Sequence, residues 1–193
     1  MSAGPPNSPR TGVGRHSSNA HRFRISAATR DDVAEVLAMI RELADYERLR
    51  HLCVSTEGDL ERALFGVPAR AEVLVGTESG VPVCFALFFH NFSTFLGKPG
   101  LYLEDLFVRP AHRRKGYGRA MLVALAGLAR DRDCGRFEWS VLDWNEPAIR
   151  FYESLGATVL PDWRITRVTG DALDRLAALT QDVPHDAGQA KGM

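Results

Sequence analysis

Two acids, Glu104 and Asp105, interrupt an apolar run from Leu101 to Val108, and a basic, glycine-bearing loop follows at once: LYLEDLFVRPAHRRKGYG over 101–118. The apolar run reads as a strand. Beyond Gly118, Met121, Leu122, Leu125, Leu128 and Ala129 mark the apolar face of a long helix. A strand feeding a helix N-terminus through basic residues and glycines is suited to holding an anion. The first helical N–H groups lack internal partners, and the helix dipole favours negative charge there. Gly116 and Gly118 let a ligand approach the backbone, while Arg109, Arg113, Arg114, Lys115 and Arg119 add positive charge. The chemistry these residue types allow is a pyrophosphate site with a carboxylate beside it. A solvated basic turn next to a strand acid paired with an arginine would have the same sequence. The dinucleotide pattern GxGxxG and the phosphate-loop pattern GxxxxGK[ST] are both absent.

The elements that must position these groups are legible along the chain. Phe23–Ala27 alternates as a first strand, and Thr29 with Asp32 opens a helix whose apolar positions run to about Tyr46. Thr56 with Asp59 opens a shorter helix, stopped by Gly66 and Pro68. Ala71–Gly76 and Val83–Phe89 form a strand pair around Ser79-Gly80-Val81-Pro82, and 91–100 reads as a polar loop. Phe137–Leu142 is the next strand. Asn145 caps a helix with Pro147 in its first turn, and Gly156 ends that helix. Ala157–Leu160 and Trp163–Val168 read as closing strands, and Asp171–Leu179 as a last helix. The order predicts an α/β fold with a mixed sheet, no repeats and no second domain.

Composition narrows the function classes. The 193 residues carry 24 basic and 24 acidic side chains, so no global charge points to nucleic acid or a membrane surface. Residues 1–21, rich in Gly, Pro, Ser and Asn, are expected to be a disordered tail and not a secretory signal; 22–180 form one domain, and 181–193 a flexible C-terminal tail. Cys53, Cys84 and Cys134 are odd in number and far apart, which fits reduced thiols in a cytoplasmic protein. The six histidines show no metal-ligand spacing, so no metal is expected.

YLEDLFV, then RRKGYG, a helix, and VLDWNEPAIRFYESLGA together resemble the GNAT superfamily of acetyl-CoA-dependent N-acetyltransferases. Within it the likeness is to the diamine branch, the spermidine/spermine N1-acetyltransferases and thialysine acetyltransferases, over roughly residues 23–180; ELADYE at 42–47 and Trp163 fit that branch too. The resemblance implies a central, splayed mixed sheet flanked by helices. It implies that Arg113, Arg114, Lys115, Gly116, Tyr117, Gly118 and Arg119 hold the pyrophosphate of acetyl-CoA through backbone N–H groups. Leu106, Phe107 and Val108 would pair with the pantetheine arm like an added strand, with Asn145, Pro147 and Ala148 along its other side. Family members carry glycine where this chain has Arg114, so that side chain is expected to point outward.

A lysine-type amine has a pKa near 10.4, so presenting its free base at pH 7 costs about 4–5 kcal/mol. By resemblance, Glu104 accepts that proton through a water, the hydroxyl of Tyr152 protonates the leaving thiolate, and a strand bulge near Leu106 supplies an N–H to the oxyanion. Tyr46, Glu47, Glu104 and Asp105 fall on family substrate positions, with Glu138, Trp139 and Ser140 opposite. The polyamine-specific members carry another acid before YLED, whereas this chain has NFSTFLGKPG. The expected substrate is therefore a diamine, a lysine-like amino acid or thialysine, acetylated directly in a ternary complex. The chain could also acetylate peptides or bind acetyl-CoA without catalysis. The branch further implies a homodimer.

Overall fold

The structure is a computed structural model that describes Met1 and residues 23–179; the expected tails, apart from Met1, lie outside the described residues. The chain forms two compact units, Met1–Ser140 and Val141–Met193.

The first unit is built on a five-stranded sheet in sequential order: β1 (Phe23–Ala27), β2 (Glu72–Glu78), β3 (Val81–Ser93), β4 (Lys98–Val108) and β5 (Arg136–Trp139). The first four strands pair antiparallel, and β5 joins β4 in parallel after the crossover helix α3 (Tyr117–Asp131). Helices α1 (Val33–Tyr46) and α2 (Glu57–Phe65) pack their apolar stripes on the sheet: Val36, Leu37, Met39, Leu43, Leu60 and Leu64 meet Val73, Val75, Phe85 and Phe107 in one core. On α3, Met121, Leu122, Leu125 and Ala129 are buried as the helical spacing predicts. Both expected capping boxes form. The Asp32 carboxylate accepts from Thr29 N–H at 2.7 Å, and that of Asp59 from Thr56 N–H at 2.9 Å.

Three expectations for the sheet are corrected. The polar stretch 91–100 is not a loop but the end of a hairpin, with rungs Asn91↔Gly100, Phe92↔Pro99 and Ser93↔Lys98 around a turn at 94–97. Once Phe89 and Tyr102 are paired, extending the ladder satisfies backbone groups that a loop would leave to water, and this outweighs the weak strand propensity of Asn and Pro. The last strand ends at Trp139 instead of Leu142, because β4 offers no rung beyond Leu103↔Trp139. The bulge falls at Glu104, not near Leu106: Leu87 opposes Asp105 and Phe88 opposes Leu103, leaving Glu104 as the extra residue.

The second unit holds α4 (Glu146–Glu153) and α5 (Asp171–Ala177). The expected strands at 157–160 and 163–168 are absent among the described residues. Their alternation is strand-like, but the regular elements of this unit are helices, which present no edge on which a ladder could form. Asn145 occupies the N-cap position of α4 without a side-chain capping bond; its carbonyl accepts from Ala148 and Ile149 N–H at 3.0 and 3.1 Å.

Candidate active site

The bulge and the end of the β4–β5 ladder coincide. From Asp105 to Val108, β4 is paired with β3 on one side, while on the other β5 has already stopped, and the bulged Glu104 stands at the start of this stretch. This is the splay expected for the sheet, and it gives Leu106, Phe107 and Val108 a strand edge without a ladder partner among the described residues. Phe107 is buried in the core, so its role at this edge is confined to its backbone. At the end of the stretch, Arg113 Nε donates to Val108 O at 3.0 Å.

The edge leads into the basic loop. A short 3-10 turn at Pro110–His112 is followed by Arg113 in extended conformation, Arg114 at φ +62° and Gly116 at φ +83°, and α3 starts at Tyr117. Arg114 thus takes up a left-handed conformation, which glycine adopts at no cost, and its side chain is exposed, as expected. Gly116 offers no side chain to cap the helix, and Gly118 already lies within α3, so only Gly116 of the pair uses glycine's freedom. The first turn of α3 keeps uncapped amides at Gly118 and Arg119 among the described residues.

The loop cations are not equally available. Arg109 is held by Glu35 at 2.6 Å, Glu42 at 2.8 Å and the Pro82 carbonyl at 2.9 Å. Arg113 lies over the Tyr46 ring, 4.7 Å from its centroid. Lys115 Nζ is 2.9 Å from both oxygens of Glu78, a carboxylate only 8% exposed. Glu78 also lies 2.6 Å from His112 Nδ1 and accepts from the Tyr117 hydroxyl at 2.6 Å. The Tyr117 hydroxyl bond and the Lys115 ammonium hold this carboxyl down to about 2, and the same bond raises the Tyr117 phenol to about 12. Arg114 and Arg119 remain exposed and make no ion pair among the described residues. Sequence reading missed Glu78, which lies 34–39 residues from these partners with no motif to mark it.

The substrate-position acids divide. A Schellman end to α1, with Arg48 N–H on Asp45 O at 3.1 Å and Leu49 N–H on Ala44 O at 2.8 Å, sets Glu47 at the helix C-cap, next to Tyr46. Burial, then the charges of Glu104 and Glu47, raise the Asp105 carboxyl to about 6; burial also raises that of Glu47. The structure therefore brings Glu47, Glu104 and Asp105 into one field, and none of them has a cationic partner among the described residues. Glu138 does not join them. It pairs with Arg136 at 3.2 Å and accepts from Asn91 Nδ2 at 2.7 Å. Ser140 meets the Tyr102 hydroxyl at 2.9 Å, and Trp139 packs on Phe137 with ring centroids 4.9 Å apart. Tyr152 sits in the last turn of α4 with its ring 5.5 Å from that of Phe151; Asn145, Pro147 and Ala148 form the start of the same helix.

Known proteins resemble this chain in sequence and in fold. The model of the acetyltransferase (GNAT) family matches residues 36–157. An L-ornithine N5-acetyltransferase of Arabidopsis thaliana is 36% identical over 210 residues, covering 84% of this chain and 92% of that protein. A thialysine N-epsilon-acetyltransferase of Caenorhabditis elegans is 34% identical over 159 residues, covering 80% of this chain and 97% of its own. Among solved structures, an integron cassette protein from the mobile metagenome of V. cholerae aligns with a TM-score of 0.69 at 26% identity, over 81% of this chain and 98% of that one. A splayed sheet, an uncapped helix N-terminus beyond it and these relatives lead to one assignment: the chain is an N-acetyltransferase of the GNAT family, in its diamine-acetyltransferase branch.

Proposed function

We propose that the enzyme transfers an acetyl group from acetyl-CoA directly to the side-chain amine of a small diamino acid of ornithine, lysine or thialysine type, or to a short diamine. The observation that carries this reading is the open edge of β4 from Glu104 to Val108, flanked by three acids without cationic partners among the described residues at one end and an uncapped helix N-terminus at the other. The donor set suits acetyl-CoA: strand N–H and C=O groups for an amide-bearing arm, helical N–H groups and two exposed arginines for phosphates. When bound, acetyl-CoA supplies an activated acetyl group as a thioester.

The chain's own groups do the rest. Glu47 and Asp105 attract the substrate ammonium, and Glu104 accepts its proton through a water. Asp105, with its carboxyl near 6, is closer to working pH than an ordinary aspartate and is a second acceptor for that proton. A backbone N–H near Leu106 would meet the developing oxyanion, and the Tyr152 hydroxyl would supply the proton that the departing thiolate takes up. Glu138, already neutralised by Arg136, adds no second cation site, which supports a short amine over spermine. The strand-like segments 157–160 and 163–168, without a ladder of their own, fit a homodimer contact; three free cysteines fit a cytoplasmic location.

Thiol release measured with ornithine, lysine, thialysine, putrescine, spermine and a short peptide tests the assignment. Release is expected with the diamino acids and putrescine and to be weak with spermine. Release with the peptide alone would replace this reading with a peptide acetyltransferase. Release with none of them, despite tight CoA binding, would leave a non-catalytic module.

A further inference from the structure

We infer that Glu78, at the end of β2, is a positioning residue for the pyrophosphate-binding loop, acting through His112, Lys115 and Tyr117. The inference rests on the acetyl-CoA reading above. Three side chains from one short loop converge on a single carboxylate: His112 Nδ1 at 2.6 Å, Lys115 Nζ at 2.9 Å from both oxygens and Tyr117 Oη at 2.6 Å. They span the segment from the 3-10 turn, across the left-handed residues Arg114 and Gly116, to the first residue of α3. Between that turn and Tyr117 the backbone has no ladder or helix to define it, so these side-chain bonds set where its amides point. The sequence reading counts Lys115 toward the pyrophosphate through its backbone N–H and its charge. The structure makes it a strut, its charge satisfied on the protein's own carboxylate.

The mounting is firm on the Glu78 side. Phe23 stands opposite Glu78 in the β1–β2 ladder, and its ring stacks on that of Tyr117 at 4.0 Å and 5°. The absence of a side chain at Gly76 makes this possible, since a Cβ there would fall 2.8 Å from the Phe23 ring. The carboxylate is 8% exposed and carries a paired ammonium and a phenol, an arrangement costly to dismantle once any one member is lost. A salt bridge at the surface would be worth little; a buried hub shared by three loop residues fixes geometry.

The test compares the full-length enzyme with its Glu78→Gln, Glu78→Ala and Tyr117→Phe variants on donors that do or do not carry the pyrophosphate. KM is measured for acetyl-CoA and for S-acetylpantetheine, and Kd for CoA and pantetheine by calorimetry. The wild type should favour the CoA forms by roughly 100-fold or more, and Glu78→Ala should cut that ratio by about tenfold or more. Glu78→Gln should fall between, and Tyr117→Phe should move the ratio in the same direction. In the two Glu78 variants, the amine KM and the kcat at saturating acetyl-CoA should stay within about threefold. A general loss of stability would weaken both donors alike and leave the ratio where it was, and that result overturns the inference. So does tighter CoA binding by Glu78→Ala, which would make Lys115 a phosphate ligand held in reserve. If the alanine variant does not fold, the other two decide by the same ratio. A wild type that fails to distinguish the two donors refutes the pyrophosphate site itself, a separate failure from an unchanged ratio in the variants.

Discussion

Asp105→Asn should make the protein more stable and the enzyme worse, and the stability gain should depend on pH in a defined way. In the native state the Asp105 carboxyl is raised to about 6 by burial and by the charges of Glu104 and Glu47. In the unfolded chain an aspartate titrates near 3.9 (an approximate reference value). The native state therefore binds this proton more tightly than the unfolded state does. The stability the group contributes is fully present below about pH 3.9 and is lost as the pH rises through about 6. In full the loss is about 3 kcal/mol, and about 2 kcal/mol of it accrues between pH 4.5 and pH 8. Water reaching a carboxyl that is only partly buried trims this to about 1–2 kcal/mol.

Asparagine has nearly the same shape and no charge, so the variant should lack this slope. Urea unfolding of both proteins at pH 4.5 and pH 8, extrapolated to water, gives the comparison. The gain of the variant over wild type should grow by about 1–2 kcal/mol from the lower pH to the higher. Groups common to both proteins, such as Glu78, cancel in this difference. In the same preparations kcat/KM for the amine should fall by about 10- to 100-fold with the acetyl-CoA KM held, because the charge that destabilises the fold is the one that attracts the ammonium. A gain equal at both pH values, or a loss at pH 8, would refute the reasoning.

Three further outcomes are expected. Tyr152→Phe should keep near-normal acetyl-CoA affinity while kcat drops by about tenfold or more, seen by steady-state kinetics beside calorimetry; an unchanged kcat removes the general-acid role. Gly116→Ala should cost about 1–2 kcal/mol and raise the acetyl-CoA KM, through φ +83° alone, since a Cβ there meets nothing within 4 Å. Gly100→Ala should cost about 1–3 kcal/mol by thermal or urea unfolding, because its Cβ would strike Asn91 Oδ1 and crowd Arg136 Cγ at 3.0 Å.

What could be read from the sequence was what is decided locally. The boxes at Thr29/Asp32 and Thr56/Asp59 join residues three apart, and the apolar faces of α1 and α3 repeat within one helix, so spacing alone predicts them. The strand, loop and helix at 101–131 are likewise continuous in the chain. Features decided by pairing across the sheet were out of reach. A bulge at Glu104 depends on how Leu87 and Phe88 choose partners, and the hairpin beyond Asn91 depends on a ladder begun at Phe89. Strand-like alternation at 163–168 could not disclose that its unit presents helices and no edge. The Glu78 hub is invisible for the same reason, since a lone acid at a strand end has no signature until its partners fold onto it.

Equal numbers of acids and bases, 24 of each, conceal how the fold distributes them. Glu35, Glu42 and Glu78 are spent on Arg109 and Lys115, and Glu72 on Arg132, so these charges hold strands and helices together and project little field. Among the charges that make no ion pair in the described residues, five flank the free edge of β4. Glu47, Glu104 and Asp105 gather at the end of the free edge where the sheet splays, and Arg114 and Arg119 stand past its other end, around the start of α3. Between them, Glu104 to Val108 extends about 14 Å at strand rise, with hydrogen-bonding groups and no net charge of its own past Asp105. Such a track suits two substrates that meet head to head: a small cation held by the acids, and an extended neutral arm whose phosphates reach the helix. On the proposed reading, selectivity would come from which charges the fold leaves unpaired, so that a net-neutral chain could recognise a cation and a polyanion along a single strand.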